Sequence, residues 1–217
     1  MAKKHSYYNS SLYDEAIRSV RTNIQFADID HKNKIIAMTS SKPSEGKTTV
    51  VYKLAQSFAE NGERVVLLDF DLRAPKVGGV AGIDNNVGLT NVITGKLELD
   101  RALYRDKGQE NLFLLLSGPT PPNPAEILAS NHIKDLVNEL SQSFDYVFID
   151  TPPVGLFTDA SIVSTFCDGM IFAIKSNDTK KEEISRALDN LKKVNAKVIG
   201  AILTFADVKE FNYKGYY

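Results

Sequence analysis

Short apolar runs alternate along the chain with longer amphipathic stretches, the pattern of βα units whose parallel sheet is covered on both faces. The runs predict six strands, at 34–40, 64–69, 112–117, 146–150, 170–175 and 197–204. Between the first two, Val50, Val51, Leu54, Ala55 and Phe58 recur at helical spacing, and Asn61-Gly62 supplies the left-handed stop that ends a helix. Near the other end Ile184, Ala187, Leu188, Leu191 and Val194 form a second apolar stripe, with Lys180, Lys181, Glu182, Glu183, Lys192 and Lys193 turned mostly outward as a solvated face. Residues 11–26 also read as a helix, but one that precedes the sheet and carries Glu15, Arg18 and Arg21 at three-residue intervals. With no internal repeat and no Gly/Ser-rich linker, the chain is expected to comprise an arm (1–30), one α/β domain (31–206) and a short tail (207–217).

Composition narrows the class. The 217 residues suit one large domain, and 43% hydrophobic with 24% charged residues excludes wholesale disorder, a collagen-like fibre or a coiled-coil rod. Lys plus Arg number 26 against 27 Asp plus Glu, so no global positive field gathers nucleic acid, and none is expected as a partner. The single cysteine, Cys167, excludes an internal disulfide framework and reads as packing beside Phe166, Met170 and Ile171. No apolar run approaches the ~20 residues of a membrane span, and residues 1–6 lack the apolar segment of a signal peptide. The expected location is the cytoplasm, with membrane association borrowed from a partner.

The strongest chemical signal is Ser41-Lys42-Pro43-Ser44-Glu45-Gly46-Lys47-Thr48, which leaves a predicted strand and opens a predicted helix. A nucleotide's phosphates need several backbone N–H donors converging at a helix N-terminus, a cation for the terminal oxygens and a hydroxyl for Mg²⁺. Gly46, Lys47 and Thr48 supply these, so the segment reads as a P-loop with Ser41 where the usual pattern has glycine. The fold class that follows is a P-loop NTPase-type α/β domain, with a mainly parallel sheet between helices.

Two further strands end in acids. The second finishes Leu67-Leu68-Asp69-Phe70-Asp71-Leu72-Arg73, and alternation points Asp69 and Asp71 the same way, able to share an ion or a proton-transfer task. The fourth, Tyr146-Val147-Phe148-Ile149, delivers Asp150 before Thr151-Pro152-Pro153, where a carboxylate can hold Mg²⁺ directly or through its waters. Gly46, Asp69 and Asp150 are therefore expected to converge on one sheet edge.

Together these motifs resemble the bacterial tyrosine kinases of capsule and exopolysaccharide assembly, a branch of the deviant-P-loop ATPases that include the cell-division and plasmid-partition ATPases. The resemblance covers essentially the whole chain. It extends to residues 118–128, with their Pro122-Asn123-Pro124 core, to Glu15-x-x-Arg18-x-x-Arg21, similar to that family's subunit-contact motif, and to Tyr213, Tyr216 and Tyr217, which look like its autophosphorylated tail. The tail is short, Thr204-Phe205 stands where the family commonly has an asparagine near adenine, and Lys42 occupies the place of the partition-type signature lysine.

The resemblance implies an ATP- and Mg²⁺-dependent kinase that phosphorylates tail tyrosines of neighbouring copies. Lys42, Pro43, Ser44, Glu45, Gly46, Lys47, Thr48 and Thr49 would hold ATP, and Thr48, Asp71 and Asp150 the metal. Catalysis would fall to Lys47, Asp69, Asp71 and Arg73, with Asp69 toward the incoming hydroxyl and Arg73 steadying the acids or the transferred phosphate. Implied partners are other copies in a ring-like oligomer when unphosphorylated, a membrane-anchored activator or polymer co-polymerase, other tyrosine-containing proteins and a cognate tyrosine phosphatase. The alternatives are a dimerising partition- or positioning-type ATPase with water as acceptor, and a scaffold with a degenerate site.

Overall fold

The computed structural model describes residues 2–27 and 33–206, with side chains for 12–26 and 33–206; Tyr213, Tyr216 and Tyr217 lie outside the described residues. In chain order the elements are α1 (Ala2–Ala27), β1 (Ile35–Ser40), α2 (Lys47–Glu60), β2 (Val65–Asp69), α3 (Val77–Ala81), α4 (Leu89–Ile93), α5 (Leu99–Ala102), β3 (Leu103–Arg105), β4 (Leu112–Leu115), α6 (Pro124–Ala129), α7 (Asn131–Ser143), β5 (Tyr146–Asp150), α8 (Asp159–Val163), β6 (Gly169–Lys175), α9 (Lys181–Lys193) and β7 (Val198–Thr204). Seven strands form one sheet in the order β3-β4-β2-β5-β1-β6-β7. Only the β3–β4 pairing is antiparallel. The six expected strands are all present, and β3 adds a three-residue edge strand.

Alternation along the central strands explains the two layers. Val65, Leu67, Tyr146 and Phe148 face α2, where Phe58 packs 4.5 Å from the Tyr146 ring and 5.2 Å from the Phe148 ring. Val66, Leu68, Val147 and Ile149 belong to the opposite core with Leu136, Val137 and Leu140 of α7 and Ala187 and Leu191 of α9. Burying side chains of this size contributes about 1.5–3 kcal/mol each, and β2 and β5 are buried along their whole length. Asp145 and Asp168 accept the N–H groups of Arg64 and of Lys34 and Ile35, which aligns the starts of β2 and β1.

Helix α1 is joined to this body. Ile17 and Ile24 are buried in the core on the α2 side, and Arg21 Nη1 donates to the Ser57 carbonyl at 2.6 Å and lies 3.2 Å from the Ser57 hydroxyl. No helix among the described residues is long and apolar enough to cross a membrane.

Candidate active site

The carboxyl ends of β1, β2 and β5 meet where β1 gives way to the loop before α2, the crevice in which open α/β sheets bind ligands. Gly46 caps α2 with φ 80°, and Ser44 also takes a positive φ of 63°, so the loop coils tightly over the helix N-terminus. The Glu45 side chain is fully buried and turns back into its own loop. It accepts the Lys42 backbone N–H at 3.0 Å and the Thr179 hydroxyl, while its carbonyl accepts the Thr204 hydroxyl at 2.8 Å. Glu45 therefore acts as a brace for the cradle. Pro43, Ser44 and Thr49 are exposed around the mouth, and Lys47 and Thr48 are buried inside it.

Thr48 donates its hydroxyl to Asp150 Oδ2 at 2.5 Å. Asp150 Oδ1 is buried and has no hydrogen-bond partner among the described residues. A buried carboxylate oxygen left in this state is costly unless a cation or its water shell meets it, so the Thr48–Asp150 pair suits a hydrated divalent ion. Among the described residues no three His, Cys, Asp or Glu side chains are arranged to hold a metal by themselves, so such an ion would depend on the Thr48 hydroxyl, waters and phosphate oxygens as well.

Asp69 and Asp150 are register partners on neighbouring strands. Desolvation lifts the Asp150 carboxyl to about 6 against the opposing pull of Lys47 and the Thr48 hydroxyl. Burial, and then the nearby Asp150 charge, pushes Asp69 well above the usual carboxylate range. Asp69 Oδ2 accepts the N–H groups of Lys76 and Val77 at 3.1 and 3.0 Å, and Oδ1 accepts that of Asp71 at 3.2 Å. Asp71 is slightly exposed and accepts the Ala74 N–H at 3.0 Å; burial raises it too, with Lys47 opposing. Three acids thus gather with Lys47 and Lys76 opposing the rise at Asp71 and Asp150, an arrangement that favours the entry of further positive charge.

Arg73, expected to steady the acids or the transferred phosphate, is held by Asp159 and feels the Asp71 charge. Its Nε and Nη2 grip the two oxygens of fully buried Asp159 at 2.7 and 3.0 Å, and its guanidinium lies 4.4 Å from the centre of the Phe157 ring. The fork ties the segment after β2 to α8, and with it the loop that follows Asp150. That loop is also pinned to β1, because Thr39 donates to the Pro152 carbonyl at 2.9 Å and accepts the Val154 N–H at 3.1 Å. Lys42 is likewise occupied: its ammonium sits 3.0 Å from Asp178 and 3.3 Å from Glu183, and the Asp178 hydrogen bond raises its pKa.

The structure therefore brings Gly46, Lys47, Thr48, Asp69, Asp71 and Asp150 to one crevice, and sets Arg73 and Lys42 in ion pairs at its margins. Asp159, Thr179, Asp178 and Glu183 were invisible as site residues, since their partners lie 86 to 141 positions away in the chain. On α1, Glu15 and Arg18 are exposed and paired with each other at 3.2 Å. Cys167 is half-buried beside Met170, and burial pushes its thiol up to about 12, consistent with a packing role.

A sequence profile described as an AAA domain matches residues 33–203. The tyrosine-protein kinase YwqD of Bacillus subtilis is 39% identical over 207 residues, covering 95% of this chain and 87% of that protein. The putative tyrosine-protein kinase CapB of Staphylococcus aureus is 32% identical, covering 100% and 99%. The chain belongs to the bacterial tyrosine kinases. Solved relatives agree: the chimerical protein CapA2B2 has a TM-score of 0.83 at 32% identity over 87% of this chain and 83% of that one. The kinase domain of Escherichia coli tyrosine kinase ETK has a TM-score of 0.83 at 27% identity over 89% and 77%. The septum site-determining protein MinD of Pyrococcus horikoshii, complexed with Mg-ADP, has a TM-score of 0.66 at 26% identity over 78% and 69%, so the kinase shares its sheet and loop with the deviant-P-loop ATPases.

Proposed function

We propose that this tyrosine kinase uses Mg-ATP to phosphorylate tyrosines in the C-terminal tail of neighbouring copies, and that the reaction regulates the synthesis and export of a capsular or extracellular polysaccharide. The observation that carries the reading is the Thr48–Asp150 hydrogen bond at 2.5 Å beneath a left-handed phosphate loop, with Asp69 and Asp71 alongside. Phosphoryl transfer asks a protein mainly for alignment and charge neutralisation, and this crevice offers both.

The backbone N–H groups of residues 44–48 and the Lys47 ammonium would hold the phosphates, and Thr48, Asp71 and Asp150 would hold the Mg²⁺ shell. The magnesium ion supplies charge neutralisation at the phosphate oxygens. A phenol with a pKa near ~10 does not surrender its proton in advance to a carboxylate, so Asp69 orients the hydroxyl and accepts the proton late in transfer. Its upward-shifted pKa narrows the mismatch. Arg73, fixed on Asp159, positions the acid-bearing segment. Tyr213, Tyr216 and Tyr217 are the acceptors, and each phosphate adds ~1.5–2 negative charges near an acidic crevice, which favours release of the product copy.

Exposed Glu15 and Arg18 support a role for α1 in self-association as a ring. Likeness to the CapA2B2 chimera supports recruitment to the inner face of the membrane through a membrane-anchored activator. Incubating purified chain with labelled ATP and Mg²⁺ and mapping phosphotyrosine tests the reading: label on Tyr213, Tyr216 or Tyr217 supports it, and ATP hydrolysis without phosphotyrosine contradicts it.

A further inference from the structure

The first half of the phosphate loop is fastened to a segment 136 to 141 positions away, the turn from β6 into α9. An ammonium has three N–H donors, and those of Lys42 find three acceptors there: Asp178 Oδ2 at 3.0 Å, the Asp178 carbonyl at 3.2 Å and Glu183 Oε2 at 3.3 Å. The Lys42 main chain is occupied as well. Its N–H goes to Glu45 Oε2 at 3.0 Å and its carbonyl accepts the Ser40 hydroxyl at 2.9 Å, while Glu45 Oε1 accepts the hydroxyl of Thr179 on the same turn. Pro43 follows and restricts the Lys42 backbone further. Glu183 also accepts the Lys180 N–H at 2.8 Å, capping α9, and that helix is seated in the core through Ala187 and Leu191. The side chains of Lys42, Asp178 and Glu183 are 30 to 44% exposed, so these pairs add little to global stability. Their geometry serves the loop instead.

We infer that Asp178 and Glu183 are positioning residues for nucleotide binding, an inference that rests on the ATP-binding reading above. Through the Lys42 ammonium they hold residues 42–45 in place, so that the backbone N–H groups of 44–48 are already ordered for the phosphates. A loop fixed in its binding conformation loses less conformational entropy when the nucleotide arrives, which raises affinity. Bare charge predicts the opposite sign. Two carboxylates beside a phosphate loop repel a polyphosphate, so as charges alone Asp178 and Glu183 would weaken ATP binding and their removal would strengthen it. Lys42, with its ammonium turned to these acids, acts on the phosphates through the loop and not as a second phosphate cation beside Lys47.

The test is calorimetric binding of Mg-ATP to the full chain, to Asp178→Ala with Glu183→Ala, to Lys42→Met, to the three changes together and to Lys42→Arg. The acid pair and Lys42→Met should each weaken ATP by about 5-fold, and the triple variant should be within about 2-fold of either, because all break one clamp. Lys42→Met leaves the Glu183 cap of α9 intact, which keeps the test valid if the acid pair frays that helix. Lys42→Arg, which keeps a cation and several donors, should bind within about 2-fold of wild type. In the kinase reaction the acid pair should raise the KM for ATP about 5-fold and change kcat less than about 2-fold. Tighter or unchanged ATP binding in the acid pair overturns the assignment, as do losses that multiply in the triple variant. Wild type that bound no Mg-ATP would overturn the ATP reading and this inference together.

Discussion

Asp69 and Asp150 face each other as register partners at the ends of β2 and β5, both buried, with Thr48 donating to one and the N–H groups of residues 71, 76 and 77 to the other. Burial raises both carboxyls, the Asp150 charge adds to the rise at Asp69 and the Asp71 charge to that at Asp150, and Lys47 and Lys76 oppose the rise at Asp150. The site is therefore poised to lose stability when both ionise and to regain it when a divalent ion enters.

Asp150 titrates at about 6 in the folded chain against about 3.9 for an ordinary Asp. The native state then holds a proton that the unfolded state has released, so stability falls as pH rises from about 4 to about 6 and the loss is complete above that. Asp150→Asn should remove up to about 3 kcal/mol of this penalty. Without Mg²⁺ its Tm at pH 7.5 should exceed wild type by several degrees, the two should converge at pH 4, and the variant should lose the stabilisation that Mg-ATP gives wild type. Thermal melts across that range check all three.

Gly46→Ala should disable the cradle. The Cβ would meet the Phe205 ring at 3.2 Å, and alanine at φ 80° adds about 1–2 kcal/mol of backbone strain. The expected result is a Tm a few degrees lower with ATP affinity reduced at least 10-fold in calorimetry, a disproportion that a general loss of stability would not give.

Arg18 and Arg21 should separate in mutagenesis. Arg21→Ala leaves the buried Ser57 carbonyl without its donor and loosens α1 from α2, costing about 1–3 kcal/mol in denaturant unfolding. Arg18→Ala removes only an exposed pair with Glu15 worth about 0.3–0.5 kcal/mol, so a change in light-scattering mass in that variant reports a subunit contact directly.

Glu45→Ala should release the loop brace, freeing the Thr179 hydroxyl and the Lys42 N–H. ATP affinity should fall several-fold while the far-ultraviolet circular dichroism spectrum is unchanged.

Much of this was legible in the sequence because short apolar strands that deliver a glycine-lysine-threonine loop or an acid leave a local signature. Strand β3 left none, since three residues are too few for alternation to register and an antiparallel edge was not implied by the βα rhythm. The three-residue spacing of Glu15, Arg18 and Arg21 illustrates a different limit. A step of three residues falls about 60° short of a full helical turn, so positions 15 and 21 differ by about 120° and Arg21 swings toward α2. The roles of Arg73 and Lys42 depended on Asp159, Asp178 and Glu183, distant in the chain and brought near only by the sheet order.

The central claim is that the crevice around Lys47 transfers phosphate to tyrosine. Lys47→Met removes the cation over the phosphates and keeps a side chain of similar length, so the fold should persist, as circular dichroism would show. Phosphotyrosine detection after incubation with Mg-ATP should give a strong signal for wild type and at least a 100-fold weaker one for Lys47→Met, and a variant that folds and retains wild-type phosphotyrosine would contradict the account.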